Sequence, residues 1–311
     1  MSKLCPISYL TVENGERYSQ EGLKLLSNRL DSLSDLPFDA EGLRFEAVKR
    51  LHKMSIQGVQ VKISAKLNVV KKKFEFVDKY GTYILKPQNN LYAELPENED
   101  LSMRLAKSIG IETPLHGMLY ASDGSLCYFV KRFDRHGHNK KHTLEDFAQI
   151  AGLDRDQKYS FSMEKVVKII DQNCTFPMIE KKKLFLRTIF NYIIGNEDMH
   201  TKNFSLITRN GKIELSPAYD LLNTTIAMGN AKEEIALTLN AKKNKLNRYD
   251  LIDYFGRERL KLNDAVIKKV LYTVVSIQPV WKGLIKESFL SENKKEEYIQ
   301  LIKERKNKLE L

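Results

Sequence analysis

The chain has 311 residues, 42% hydrophobic and 29% charged, a balance that excludes a disordered or fibrous polymer and fits a folded chain with a sizeable core. Lys and Arg outnumber Asp and Glu by 51 to 40, but the basic runs Lys71–Lys73, Lys140–Lys141, Lys181–Lys183 and Lys303–Lys308 are short, scattered and without interleaved aromatics, so the net charge of +11 alone names no nucleic-acid surface. Cys5, Cys127 and Cys174 lack metal-ligand spacing and are too few for a disulfide framework, and no apolar leader or membrane-length run is present, so a cytoplasmic location is expected.

In chain order, the segment before Phe38 carries no readable signal. Short β-prone runs follow at Gln57 to Leu67, Phe74 to Val77 and Thr82 to Leu85, the last two parted by a turn at Asp78 to Gly81, and they read as successive antiparallel strands. Pro96 to Asp100 opens a helix in which Leu101, Leu105 and Ile109 recur at helical spacing until Gly110. Leu115 to Tyr120 and Leu126 to Phe133 flank Ala121-Ser122-Asp123-Gly124 and predict a hairpin. Beyond Arg135 a polar segment runs from His136 to His142, and from Leu144 helical periodicity dominates, clearest in Met163 to Gln172 and Glu180 to Gly195. The tail from Arg248 is again helical, with Val266, Ile267, Val270, Leu271 and Val274 on one face. The expected fold is α+β, with a strand-rich N-lobe over 1–135 and a mostly helical C-lobe over 136–311.

The chemistry concentrates in Gly195-Asn196-Glu197-Asp198-Met199-His200-Thr201-Lys202-Asn203, polar residues directly after an apolar helix. Asp198 and Asn203 have four residues between them, the interval that separates a catalytic carboxylate from a metal-binding amide in protein kinases. Phe204 to Thr208 and Lys212 to Leu215 then predict a hairpin around Arg209-Asn210-Gly211, which delivers a second carboxylate, Asp220, in Tyr219-Asp220-Leu221 where kinases carry Asp-Phe-Gly. Lys86, at the end of the strand Tyr83 to Lys86, is the candidate cation for the phosphates of ATP. Glu99 is its candidate partner, with Glu94 and Glu97 as competitors and helix capping as the alternative role for Glu99. Upstream, Ser55-Ile56-Gln57-Gly58-Val59-Gln60-Val61-Lys62 places one glycine and one lysine near a strand start, where backbone N–H groups approach phosphates.

Together these residues resemble the HipA family of serine/threonine toxin kinases, from about Phe38 to at least Leu260. The resemblance implies a bilobal protein-kinase-like fold using ATP and Mg2+. It makes the Ser55 to Lys62 loop, with Gln57, Gly58, Val59, Gln60 and Lys62, the regulatory and phosphate-binding loop, and Ser55 the autophosphorylation site. Lys131-Arg132-Phe133-Asp134-Arg135 looks like the hinge facing adenine, with Lys131 where the family usually carries Glu. Asp198-x-His200-x-Lys202-Asn203 matches the catalytic loop and Pro217-x-Tyr219-Asp220 the metal segment. Asp198 is then the catalytic base, Asn203 and Asp220 the magnesium ligands, and His200, Lys202 and Tyr219 line the nucleotide site.

Fewer residues precede the Ser55 loop than in long family members, so the closest form is the short HipT type. That form implies a helix-turn-helix antitoxin and a small protein resembling the missing subdomain as partners, DNA association only through the antitoxin, and an aminoacyl-tRNA synthetase as substrate, so that translation is inhibited. A phosphate on Ser55, adding about −2 charge beside the ATP phosphates, is expected to lower activity. Two other classes compete: a nucleotide-binding module without catalysis, and a basic nucleic-acid-associated protein. The first is expected to have lost Lys86, Asp198, Asn203 or Asp220, all of which are present, and the second rests on net charge alone.

Overall fold

A computed structural model describes residues 4–13, 15–50, 60–137, 140–229 and 232–311. The chain divides into two units: Met1–Leu101 with Pro114–Arg135 and Glu287–Leu290 form the first, and Ser102–Thr113, His136–Lys286 and Ser291–Leu311 the second. The first unit is strand-rich and the second mostly helical, which agrees with the expected fold class.

In the first unit, α1 (Gln20–Leu26) and α2 (Ala40–Arg50) precede an antiparallel sheet of five strands, β1 (Ile63–Asn68), β2 (Lys73–Phe76), β3 (Tyr83–Lys86), β4 (His116–Tyr120) and β5 (Leu126–Lys131). The spatial order is β2-β1-β3-β5-β4, with α3 (Leu95–Ser108) inserted in the chain between β3 and β4. Gly124, at φ +82, and a bond from the Ala121 N–H to the Ser125 carbonyl close the expected β4–β5 hairpin. Pairing of β3 with β5 sets Lys86 opposite Tyr128. The core of this unit gathers Ile63, Ala65, Phe74, Tyr83, Leu85 and Phe129 from the sheet, with Phe74 edge-on to Tyr83 at 5.1 Å.

The unreadable N-terminal segment belongs to that same core. Cys5, Ile7, Leu23 and Leu30 are almost fully buried there, and Tyr9 packs edge-on to Phe289 at 5.4 Å. Burying such side chains stabilises a fold by about 1.5–3 kcal/mol each, enough to order a segment with little regular structure of its own. The seven residues of α1 are held by a cap instead, the Ser19 hydroxyl accepting from the Gly22 N–H at 3.1 Å.

The second unit begins with two short strands, β6 (Arg135–His136) and β7 (Lys140–Lys141), then β8 (Thr143–Asp146), α4 (Phe147–Ile150), α5 (Met163–Asn173) and α6 (Pro177–Ile194). After the site loop come β9 (Ser205–Arg209), β10 (Lys212–Leu215), α7 (Thr224–Met228), a π-helical stretch Tyr249–Arg259, α8 (Asp264–Ser276), α9 (Gln278–Glu287) and α10 (Glu292–Lys308). The helical expectation from Leu144 is corrected at its start: β8 pairs with β9 in a β10-β9-β8 sheet. Its four residues are too few for a period to show, and the pairing that makes them a strand is tertiary. Asp146 then ends the strand and caps α4 reciprocally with Gln149.

Helix α6 is the axis of this unit, packed by α5, α8, α10 and the π-helical stretch. Its Leu184, Phe185, Ile189, Phe190 and Ile193 are fully buried, and Phe190 meets Trp281 edge-on at 5.7 Å. Pro177 opens it, where a missing N–H costs nothing. Among the described residues no helix is long and apolar enough to cross a membrane.

Candidate active site

The exit from α6 sets the site. Gly195 ends the helix at φ +69, its N–H bonded to the Tyr192 carbonyl at 3.3 Å and the next N–H, of Asn196, to the Asn191 carbonyl at 2.9 Å, the Schellman pattern that turns a chain out of a helix. The buried Asn196 side chain donates to Asn191 Oδ1 at 3.0 Å and accepts the Asp198 N–H at 3.2 Å. At the N-terminus of α7, Thr224 Oγ1 accepts the Glu197 N–H at 2.7 Å and donates to the Gly195 carbonyl at 3.0 Å, while the Thr225 hydroxyl donates to Glu197 Oε1 at 2.7 Å. The backbone is thereby tied on both sides up to Asp198, whose side chain is 49% exposed.

Beyond Asp198 the loop folds back on itself. The Asp198 carbonyl accepts from the His200 N–H at 2.8 Å and from Asn203 Nδ2 at 2.7 Å. Because a carbonyl can only accept, that bond fixes which end of the Asn203 amide is nitrogen and leaves its Oδ1 as an acceptor, the donor type a hard divalent cation takes. His200 caps the short 3-10 turn Thr201–Asn203, its Nδ1 accepting the Lys202 N–H at 3.3 Å, and its Nε2 lies 3.8 Å from Asp198 Oδ1. Burial holds the His200 imidazole below the ordinary histidine range, which favours its neutral form.

Asp220 arrives as the β9–β10 hairpin returns. Ser216 pairs with Ser205 through its N–H, the Ala218 N–H donates to the Glu112 carbonyl at 2.7 Å, and buried Arg187 donates to the Ser216 carbonyl at 2.7 Å. Tyr219 performs the connection: its hydroxyl lies 2.5 Å from Ser205 Oγ and donates to the Lys202 carbonyl at 2.9 Å. Burial pushes this phenol well above its usual range, so it stays protonated and able to donate. Asp220 itself is half-buried with φ +53, a left-handed conformation that Asp tolerates better than most residues. The structure therefore brings Asp198, His200, Lys202, Asn203, Tyr219 and Asp220 into one connected loop pair.

One residue here had no signal in the sequence. Tyr159, 39 positions before Asp198, donates its hydroxyl to Asp198 Oδ1, and its ring stands edge-on to His200 at 5.0 Å. It lies in the loop after the 3-10 turn Arg155–Gln157, where neither periodicity nor a motif marks it.

In the first unit, Lys86 is 2% exposed at the end of β3 and its Nζ bonds Glu99 Oε1 at 2.5 Å, over the Tyr128 ring at 5.5 Å. Of the three carboxylates in competition, Glu99 thus pairs with the lysine. Glu97 instead accepts from Gln88 Nε2 through both carboxylate oxygens, at 2.8 and 3.0 Å. Burial pushes the Glu97 carboxyl up to about 7. Gln60 and Lys62 lie half-buried before β1. Lys131 ends β5 with an exposed side chain and its N–H on the Leu115 carbonyl at 2.8 Å, and Phe133 follows half-buried. Ser55, Gln57, Gly58 and Val59 lie outside the described residues.

Similarities to known proteins bear on these residues. The family described as HipA-like C-terminal domain matches residues 54–281. A Haemophilus influenzae protein named as a kinase is 27% identical over 303 residues, covering 88% of this chain and 87% of its own. The Shewanella oneidensis protein named serine/threonine-protein kinase toxin HipA is 29% identical over 193 residues, 55% of this chain and 43% of that protein. The solved structure of Shewanella oneidensis HipA with HipB and operator DNA superposes with a TM-score of 0.71 at 21% identity, covering 91% of this chain and 74% of that one. The Helicobacter pylori proinflammatory kinase CtkA gives 0.56 at 18% identity, over 83% of this chain and 91% of that chain. Both structures establish the fold, and with most of its length matched by the HipA-like domain, the chain belongs to the HipA family.

Proposed function

We propose that this chain is an ATP- and magnesium-dependent serine/threonine protein kinase acting as the toxin of a toxin–antitoxin system. One observation carries the reading. The Asn203 amide nitrogen bonds the Asp198 carbonyl at 2.7 Å, which leaves on one loop a carboxylate for a hydroxyl and an amide oxygen for a cation. Asp198 accepts the hydrogen bond of the substrate serine, orients its oxygen for in-line attack on the γ-phosphorus and takes its proton as the new O–P bond forms and the bond to ADP breaks. Asn203 and Asp220 are the residues that would hold magnesium, which when bound neutralises charge on the phosphoryl oxygens. Lys86, fixed by Glu99, supplies the cation for the α and β phosphates.

The relatives named as kinases, one of them a toxin, support this assignment, as does the Shewanella HipA structure with its HipB partner and operator DNA. By the same resemblance its partner is a helix-turn-helix antitoxin, its substrate is an aminoacyl-tRNA synthetase, and Ser55 is autophosphorylated. The test is the intact mass of the purified chain before and after Mg-ATP, for wild type, Ser55→Ala and Asp198→Asn. A phosphate gained by wild type, absent from Asp198→Asn and lost or moved in Ser55→Ala, is the expected result. Equal phosphorylation of wild type and Asp198→Asn overturns the assignment of Asp198.

A further inference from the structure

We infer that Tyr159 is the positioning residue for Asp198, holding one carboxylate oxygen so that the other is presented to the substrate hydroxyl; this rests on the kinase reading above. A free aspartate side chain on a half-exposed loop samples several rotamers, and an attack in line with a leaving group tolerates few of them. The phenol of Tyr159 donates to Asp198 Oδ1, and the same oxygen is the one nearest His200 Nε2, at 3.8 Å. Oδ2 accepts no hydrogen bond from a described residue, although the side chain is 49% exposed. Among the described residues, one oxygen is engaged and the other has no donor.

The anchoring of Tyr159 argues for a fixed support rather than a removable cover. The residue before it, Lys158, is tied by its carbonyl to the very turn that carries Asn203, accepting the Thr201 N–H at 3.3 Å and the buried Thr201 hydroxyl at 3.0 Å. The ring is flanked by two ammonium groups, Lys158 at 4.8 Å and Lys243 at 6.0 Å, and set edge-on to His200. These contacts come from three parts of the second unit and all hold the ring where it is. Partial burial and the neighbouring Asp198 carboxylate push the phenol above its ordinary range, so it remains a donor throughout the range in which a kinase works.

A removable cover and a support make opposite predictions for the same substitution. Tyr159→Phe keeps the ring and its edge contact and deletes only the bond to Asp198. As a support, its loss lowers kcat for phosphoryl transfer from Mg-ATP by about 10- to 100-fold, with KM for ATP within about twofold and the melting temperature unmoved. The readout is the rate of phosphate incorporation into the full-length chain, run beside Asp198→Asn. A Tyr159→Phe rate equal to or above that of wild type, with Asp198→Asn inactive, overturns the inference and leaves the kinase reading standing. Incorporation retained in Asp198→Asn overturns that reading and this inference with it. A fall in kcat for Tyr159→Phe matched by an equal rise in KM for ATP also counts against it, because a support for the base does not bind nucleotide.

Discussion

Glu97 and Glu99 lie two residues apart at the start of α3 and face different fates. Glu99 bonds the Lys86 ammonium, whereas Glu97 is buried against the neutral amide of Gln88, and burial pushes its carboxyl from 4.5 up to about 7. The sign follows from proton counting. Between those two values the folded chain holds a proton that the unfolded chain has released, so stability falls as pH rises across that window and is constant above it. At pH 8 the ionised carboxylate costs the fold about 3 kcal/mol. Glu97→Gln removes the charge and keeps an acceptor for Gln88, so it is expected to be more stable than wild type at pH 8 by about 1–2 kcal/mol, with the gain shrinking toward pH 5. Urea unfolding at both pH values checks this, and a gain that is the same at pH 5 and pH 8 would exclude the ionised Glu97 carboxylate as its source.

At the scale of elements, the decisive junction is the end of α6. A Cβ on Gly195 would meet Leu301 Cδ2 of α10 at 2.5 Å and Thr225 Oγ1 of α7 at 2.6 Å, on a backbone at φ +69. Gly195→Ala therefore combines left-handed strain of about 1–2 kcal/mol with overpacking of about 1–3 kcal/mol. Because Gly195 shares its carbonyl with Thr224, the relief shifts the strand of backbone leading to Asp198. The expected variant melts lower and loses phosphoryl transfer by a larger factor than its loss of folded fraction explains, measured by thermal unfolding and by phosphate incorporation at a temperature where it is folded. This junction also marks what was legible beforehand. The loop from Asn196 to Asn203 was readable because its chemistry is local: the kinase interval separates Asp198 from Asn203, and an apolar helix precedes them. Lys86 was readable from its place at the end of a β-prone run, but its choice of Glu99 over Glu94 and Glu97 was not, since three carboxylates share the start of one helix and only the fold decides which meets the lysine. Residues 4–13, α1 and β8 escaped because they are short and their burial or pairing is set by distant partners, and Tyr159 escaped because its partner is 39 residues away.

For the whole molecule, the net charge of +11 raises the question of direct nucleic-acid binding. Many of the cations are already engaged within the fold: Lys72 with Asp31, Lys181 with Asp171, Lys242 with Asp250, Arg209 with Glu112 and Lys308 with Glu234. Engaged cations release fewer counterions from a phosphate backbone, and the pairs are distributed through the chain rather than gathered on one element. The protein alone is therefore expected to bind arbitrary duplex weakly, with affinity falling steeply from 50 to 200 mM salt to a Kd weaker than about 10 μM. The anisotropy of a labelled duplex of random sequence, titrated at both salt concentrations, tests this. Binding of the isolated chain that stays tighter than that at 200 mM would point to a dedicated DNA surface. Weak binding that tightens only when the antitoxin is added would make the association indirect, with the positive charge then serving encounter with acidic protein partners, whose on-rates such fields raise.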